Sequence, residues 1–274
     1  MVVLAEREGG LLEPLENMWG FGSPLIGPGA GSLLSDWLLA RPRSVLLLGL
    51  PLAEEFLASI LLPLSGRFDF QLVPPTTRFV ASLESGVEAW LAERRPGFRR
   101  NLRAARRRVA GASLDFRWIE AFSPDALPGI YEKVLAVEAR SRKSARGGGV
   151  ESGPMRDFYA DLWPRLARQG QLRVLLAESQ GTPVGYLHGA ALGRHFRGLQ
   201  FSFDETFADL GLGNVLQYEA MDRLFSGGVR RYDLGAHSEY KERWGDPGLR
   251  TVGLLLRPLG ETGSGIGDGA EPGA

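Results

Sequence analysis

Hydrophobic residues in the first third of the chain fall into short runs that are separated by turn residues. Four runs rich in aliphatic and aromatic residues predict strands at positions 2–8, 45–51, 68–74 and 77–83. Between the second and third runs, Phe56, Ile60 and Leu61 recur at helical spacing, which predicts a helix over residues 53–64. Pro74 and Pro75 separate the last two runs. This part is therefore predicted to form short strands and turns around one helix.

A long helical pattern follows over residues 85–110, with a break at Pro96-Gly97. After the break, one apolar stripe runs along the predicted helix through Phe98, Leu102, Ala105 and Val109. The other faces carry six arginines: Arg99, Arg100, Arg103, Arg106, Arg107 and Arg108. Such a helix could bind a polyanion. The alternative, which the packed stripe favours, is a solvated face whose arginines extend over that stripe.

The remaining chain predicts two helices and a set of meandering strands. The strands are predicted at residues 114–120, 171–179, 182–192, 195–204, 231–235 and 251–259. The helices are predicted at residues 125–143 and 155–169, joined by a Gly-rich loop at residues 145–153. Gln180-Gly181 predicts a hairpin turn. Together these patterns predict an α+β protein with a mixed, mostly antiparallel sheet flanked by helices.

A glycine-rich turn follows the strand predicted at residues 195–204. Gly211, Leu212 and Gly213 precede a helix that is predicted to begin at about Asn214. The first N–H groups of a helix lack intrahelical partners, and the positive end of the helix dipole lies there. The turn is therefore a candidate site for a phosphate-like anion. Alternatively, its glycines serve only a tight connection between strand and helix.

Composition narrows the possible classes of function. Lys plus Arg and Asp plus Glu both number 32, so the net charge does not favour nucleic acid or an anionic membrane. The chain has no cysteine, which excludes disulfides and thiolate nucleophiles and is compatible with the cytoplasm, where we expect the protein. No apolar run approaches the roughly 20 residues that span a bilayer, and no signal peptide is evident. Residues 259–274 are Gly-rich and predict a disordered tail.

The C-terminal order of elements resembles the GNAT acyltransferase fold. The closer resemblance is to the CelD-like acetyltransferases of the cellulose-biosynthesis type and to the related Fem-type aminoacyltransferases. Four stretches carry it: FRRNLRAARRRVAG, ARSRKSARGGG, FSFDETFADLGLGNVLQYEAM and RYDLGAHSEYKERWG. Those families are similar to two GNAT-like halves in tandem. The resemblance implies an N-terminal partial half with the basic helix at residues 1–112 and an acyltransferase domain at residues 113–258.

The resemblance also implies a carrier site. The pyrophosphate of acetyl-CoA or another acyl-CoA would lie at Gly211, Leu212, Gly213 and Asn214, with Phe203 on the flanking strand. Ala208 stands where GNAT proteins commonly have Gln or Arg, and Asp209 adds a negative charge beside it.

Acyl transfer to an amine further requires donors for an oxyanion and a group that accepts a proton. His237 is a candidate general base, or else a surface-loop histidine. The resemblance implies that Lys241 stabilises an oxyanion or binds an acidic substrate, and that Tyr240 protonates the leaving thiolate. The alternative is a solvated lysine beside an aromatic anchor. Lys143 and Arg146, beside the Gly-rich loop, are candidate substrate-binding cations.

The sequence does not predict a metal site, because His188 and His195 lie on adjacent strands without a third ligand. The predicted function is an N-acyltransferase that acts by direct attack on acyl-CoA. Its acceptor would be a small-molecule or saccharide-like amine. Two alternatives stay open. One is a Fem-type transferase that uses aminoacyl-tRNA, the only case in which we expect nucleic acid as a partner. The other is a non-catalytic GNAT-like binding module, favoured by Ala208 and by the short first half.

Overall fold

The computed structural model describes residues 1–15 and 22–260, which form two compact units. Among the described residues, one unit comprises those at positions 1–77 and 248–260, and the other comprises Arg78–Pro247. Leu259 and Gly260 begin the predicted tail, and the rest of that tail lies outside the described residues.

The described residues contain α-helices, β-strands and one 3-10 helix. The strands are β1 (Leu4–Glu6), β2 (Leu12–Pro14), β3 (Val45–Pro51), β4 (Phe68–Ser82), β5 (Leu114–Ile119), β6 (Leu172–Ser179), β7 (Thr182–Leu192), β8 (His195–Phe203), β9 (Arg231–Ala236) and β10 (Asp246–Pro258). The helices are α1 (Ala30–Ala40), α2 (Glu54–Leu64), α3 (Val87–Ala92), α4 (Pro96–Gly111), α5 (Ala126–Glu138), α6 (Arg142–Ala145), α7 (Gly153–Arg168), α8 (Leu212–Ser226) and α9 (Glu239–Glu242). The 3-10 helix is Glu205–Leu210.

The first unit has a mixed sheet that packs against α1 and α2. The strand order is β1, β2, β3 and β10, followed by the first part of β4. β2 pairs with β3 in parallel, whereas β1 with β2 and β3 with β10 are antiparallel. The two helices contact each other closely, since the Ser35 hydroxyl on α1 donates to the Ile60 carbonyl on α2 at 3.3 Å. Leu38, Leu47 and Leu254 are completely buried in this core.

Two predictions for the N-terminal region are wrong. Helix α1 was not predicted, because Leu33 and Leu39 lie outside its buried face of Leu34 and Leu38 and blur the helical period. The strands predicted at 68–74 and 77–83 are one continuous strand, β4, that passes through Pro74-Pro75. Proline has a backbone angle that is compatible with an extended chain, so it interrupts a strand only where its missing N–H is needed for pairing.

The second unit has a mostly antiparallel sheet with helices on both faces. Its strand order is the last part of β4, then β9, β8, β7, β6 and β5. Only the β8–β9 pair is parallel in this unit as described. One hydrophobic core includes residues of α3, α4 and α8, and a second includes residues of α5 and α7. This sheet between helix layers places the ends of β8 and β9 beside α6, α8 and α9.

Most elements predicted for the second unit are confirmed. The break before α4 lies at Pro96, and β7 has the predicted bounds. Gln180 and Gly181 both adopt positive φ between the paired residues Ser179 and Thr182, which confirms the hairpin. The helix predicted at residues 125–143 is shorter, because α5 ends at Glu138 and a separate turn, α6, begins after Ser141. The Ser141 hydroxyl caps that turn by accepting a hydrogen bond from the Ser144 N–H.

The predicted fold class is confirmed: each unit contains a mixed sheet flanked by helices. The units do not coincide with the predicted ranges 1–112 and 113–258, because the basic helix α4 packs into the core of the second unit. The assignment of those ranges to two GNAT-like halves stays a prediction.

Candidate functional site

Strands β8 and β9 pair only briefly and then separate. Their parallel pairing covers three residue pairs, from His195 with Arg231 to Arg197 with Asp233. Beyond these pairs, β8 continues to Phe203 and β9 continues to Ala236 without further pairing between them. On its other side β8 stays paired with β7 up to Phe203. Beyond Arg197, the edge of β8 that faces β9 is therefore not paired with β9, although it lies in the middle of a sheet. We call this part of β8 the released strand and the gap beside it the strand opening.

The glycine turn follows β8 after a short helical segment that was not predicted. The 3-10 helix Glu205–Leu210 intervenes, and α8 begins at Leu212 rather than at Asn214. Gly211 joins the two helices with φ of 74°, a left-handed conformation that favours glycine. The N–H of Asn214 bonds to the carbonyl of Gly211, whereas the N–H groups of Leu212 and Gly213 have no backbone partner among the described residues.

Both glycines of this turn are in close contact with their surroundings. A Cβ on Gly213 would lie 2.7 Å from the Phe203 ring, so Phe203 packs directly on the start of α8. A Cβ on Gly211 would lie 2.9 Å from the Ala105 Cβ and 3.3 Å from an Arg108 guanidinium nitrogen. The basic helix α4 therefore brings a cation to the N-terminal end of α8, where an anion is favoured.

Tyr240 lies on α9 and packs against the released strand. Its ring stacks on Phe201 with 5.6 Å between centroids. The hydroxyl and the Trp244 indole N–H are both buried, and the indole lies close enough to the hydroxyl to act on it as a hydrogen-bond donor. Burial raises the pKa of Tyr240 well above its usual value, which keeps the hydroxyl protonated at neutral pH.

Lys241 follows on the same turn and lies among charged groups. Its ammonium donates to the Ala236 carbonyl at 2.8 Å. Burial and the charge of Arg197 lower its pKa to about 8, with Asp233 opposing this effect and Lys143 adding to it. Lys241 therefore titrates at about pH 8 and is mostly charged at neutral pH, which suits a group that stabilises negative charge at a reacting centre.

Lys143, on α6, contacts the released strand from another side. Its ammonium donates to the Phe201 carbonyl at 2.6 Å and to the Gln200 side-chain oxygen at 2.9 Å. Burial lowers its pKa, with Glu138 opposing the effect. The structure thus brings Lys143 and Lys241 to the same strand opening from separate elements.

His237 and Arg146 lie apart from these contacts. His237 is exposed, and its Nε2 lies 2.7 Å from a carboxylate oxygen of Glu242. Its ring contacts Phe79 at 5.3 Å between centroids. Arg146 ends α6 as an exposed residue. Their predicted roles as general base and substrate-binding cation stay predictions.

Sequence reasoning missed Arg197. This residue lies on β8, and its guanidinium donates to Asp233 at 2.8 Å. A charged residue in the middle of a buried sheet is a signal that could have identified Arg197.

Sequence reasoning also missed a group of polar side chains next to Lys143. There the Tyr186 hydroxyl donates to Glu138 at 2.7 Å, and the buried His188 ring nitrogens have no partner among the described residues. In the described parts, no group of three or more His, Asp or Glu side chains is placed to hold a metal ion.

Residues 96–242 match the family model for an acetyltransferase (GNAT) domain. This match spans more than half of the chain. The chain belongs to the GNAT acetyltransferase family. In this GNAT protein the matched residues lie entirely within the second unit and include the released edge of β8, the glycine turn, Tyr240 and Lys241. The match supports acyltransferase activity in general. No curated protein gives a significant match to the chain.

Solved structures show a similar fold over most of this GNAT protein. A conserved protein of unknown function from Bacteroides thetaiotaomicron is 14% identical, with 84% of this chain and 77% of that chain covered and a TM-score of 0.57. L-PGS from Bacillus licheniformis is 13% identical, with 93% and 79% covered and a TM-score of 0.56. FemX is 12% identical, with 83% and 75% covered and a TM-score of 0.51. At these identities the likeness shows the fold alone, and the CelD-like assignment stays a prediction.

Proposed function

We propose that the protein is an N-acyltransferase that transfers an acyl group, acetyl in the simplest case, from acyl-CoA to an amine. The acceptor would be a small-molecule or saccharide-like amine. The amine would attack the acyl-CoA directly, and the chain has no cysteine that could carry the acyl group as a thioester. In the reaction a C–N bond forms, the C–S bond breaks, the amine loses a proton and the leaving thiolate gains one.

The residues around the opening between β8 and β9 support this proposal most directly. The wall of this opening presents the buried Tyr240 hydroxyl, which is protonated at neutral pH and can donate a hydrogen bond to a leaving thiolate. Beside it, Lys241 supplies positive charge near neutral pH, which would stabilise an oxyanion. The released edge of β8 leaves backbone groups that can pair with an extended carrier instead of with β9.

The glycine turn would hold the phosphate groups of the carrier. The N–H groups of Leu212 and Gly213 are unpaired with backbone, and Arg108 lies over Gly211. Phe203 and Ala105 pack so closely on the two glycines that a side chain at either position would displace them and disturb the start of α8. These features fit an anion whose oxygens approach the backbone closely.

Calorimetric titration with acetyl-CoA tests the carrier site. We expect Arg108→Ala to weaken acetyl-CoA binding about tenfold, because it removes a charge-assisted contact to phosphate. Arg100→Ala is the matched control, since Arg100 is an exposed arginine of the same helix with no side-chain hydrogen bond or ion pair among the described residues. No heat from the wild-type protein would exclude acetyl-CoA as the donor. Equal losses of acetyl-CoA affinity in Arg108→Ala and Arg100→Ala would exclude a specific role for Arg108.

A second candidate function is favoured by the basic helix α4. A groove of about 620 Å³ between α4, β5 and α8 is lined by four arginines: Arg103, Arg106, Arg107 and Arg223. Asp115 and Glu219 also line the groove, and Arg106 and Arg223 act on the Glu219 carboxyl, so arginines outnumber acidic residues there four to two. Such a surface suits the phosphate backbone of a charged tRNA, the donor of Fem-type transferases.

Fluorescence titration with aminoacyl-tRNA at several salt concentrations distinguishes this candidate. If aminoacyl-tRNA is the donor, its affinity falls steeply as the salt concentration rises. Arg106→Ala and Arg107→Ala should each reduce the slope of log affinity against log salt concentration by about one. Absence of binding at low salt removes this candidate and leaves acyl-CoA.

A further inference from the structure

Three cations from three different elements converge at the strand opening. Lys143 comes from α6, Arg197 from β8 and Lys241 from α9. Arg197 and Lys241 meet over Gly235: a Cβ on this glycine would lie 2.8 Å from an Arg197 guanidinium nitrogen and 3.2 Å from the Lys241 ammonium. Lys143 reaches the same strand at Phe201, whose ring stacks on the neighbouring Tyr240. We call Lys143, Arg197 and Lys241 the cation cluster.

The nearby carboxylate of Asp233 does not balance this charge. One of its oxygens accepts from Arg197 and from the Gly235 N–H, each at 2.8 Å. The other lies 3.2 Å from the Arg78 guanidinium. Asp233 is therefore shared between two arginines, and its ability to offset the two lysines is small.

The two lysines contact only neutral acceptors among the described residues. Lys143 donates to a carbonyl and a side-chain amide, and Lys241 donates to a carbonyl. Both side chains are half-buried, and burial lowers the pKa of each. Arg197 and Lys143 act together to lower the pKa of Lys241, and Glu138 and Asp233 only oppose the two downward shifts. An anion bound among these half-buried cations would stabilise them.

We propose that the cation cluster binds an anionic group of the acyl acceptor, a carboxylate or a phosphate. This inference rests on the proposed function, because it assigns to that site an acceptor that carries a negative charge close to its reacting amine. Lys143 bonds to Phe201 on the released strand, where the acyl group would lie. The anion and the amine would therefore be only a few bonds apart, as in an amino acid or an amino-alcohol phosphate. Neutral amines of the same size would be poor acceptors.

Anion titrations of the full chain test the proposal. The melting temperature is measured with increasing malonate or inorganic phosphate, with potassium chloride adjusted to hold the ionic strength constant. We expect a saturable rise for the wild-type protein. Lys143→Met should weaken the apparent affinity about tenfold or more, because it removes a charge-assisted hydrogen bond. Lys143→Arg should retain most of the affinity, because it keeps the charge.

Lys133→Met is the matched control, since Lys133 pairs with Glu178 on another part of the second unit. The melting temperature of Lys133→Met should respond to both probes as that of the wild type does. This comparison separates binding at Lys143 from general effects of these salts on stability. The probe with the higher affinity identifies the source of the anionic group, carboxylate or phosphate. Equal affinities in the wild type and Lys143→Met would overturn the proposal, as would the absence of a saturable rise with both probes.

A separate titration with acetyl-CoA distinguishes failure of this inference from failure of the proposed function. If acetyl-CoA binds but the affinity for malonate and for phosphate is the same with and without Lys143, only the anionic acceptor is excluded. If the probes bind as expected but acetyl-CoA binds to none of the proteins, acyl-CoA is excluded as donor and the anion site remains.

Discussion

At the residue scale, the protonation of Lys241 is central to the proposed chemistry. Its pKa lies at about 8, below its ordinary value of 10.5, because burial and neighbouring cations disfavour the ammonium. Between these two values the unfolded chain binds more protons than the folded chain, so stability rises with pH. Below pH 8 both states carry the charge, and the full cost of burying it at this position is present.

We therefore expect a pH-dependent difference between the wild type and Lys241→Met. The free energy of unfolding of the wild type, relative to the variant, should rise from about pH 8 to about pH 10.5 and stay flat from pH 6 to 8. Chemical denaturation at each pH measures it. Lys241→Arg keeps its charge over this range, so its difference from Lys241→Met should not rise in the same way. A flat wild-type curve would contradict the lowered pKa.

At the element scale, an aromatic group fixes the one-turn helix α9. Trp244 is completely buried, stacks on Trp90 of α3 at 5.4 Å and meets the edge of Phe98 on α4 at 5.1 Å. These contacts join α9, which is too short to be stable alone, to two longer elements. The positions of Tyr240 and Lys241 thus depend on packing several residues away.

Trp244→Ala should lower the free energy of unfolding by about 3–5 kcal/mol, because it leaves a large cavity among α3, α4 and α9. Urea denaturation measures the loss. Trp244→Phe keeps an aromatic ring in the same place and should lose less than half as much. If both variants lose under about 1 kcal/mol, Trp244 does not anchor the turn.

The elements of this protein differ in how far the sequence could predict them. β7 and the hairpin at Gln180-Gly181 were predictable, since strand alternation and turn chemistry are local signals. Helix α1 was not, because apolar residues occupy more than its buried face. The same distinction holds within the site. The glycine turn and the Tyr240-Lys241 pair show in the sequence, whereas the approach of Arg197 and Lys143 to Lys241 depends on contacts between distant elements.

At the scale of the whole molecule, the charge is balanced but unevenly distributed. The chain has 32 basic and 32 acidic residues, yet α4 alone carries six arginines. Any electrostatic attraction of a ligand is therefore local rather than a property of the total charge. The family match lies in the second unit, and all of the proposed chemistry lies there as well.

The most direct test of the proposed acyl-CoA site follows the backbone amides during a titration with acetyl-CoA by NMR. The amides of Leu212 and Gly213, which have no backbone partner, should shift strongly and exchange more slowly as phosphate oxygens bind them. Residues 200–203 of β8 should shift in the same titration, because the acyl group would lie along the released strand. Saturable shifts confined to other regions, or no shifts at millimolar acetyl-CoA, would contradict the proposed site.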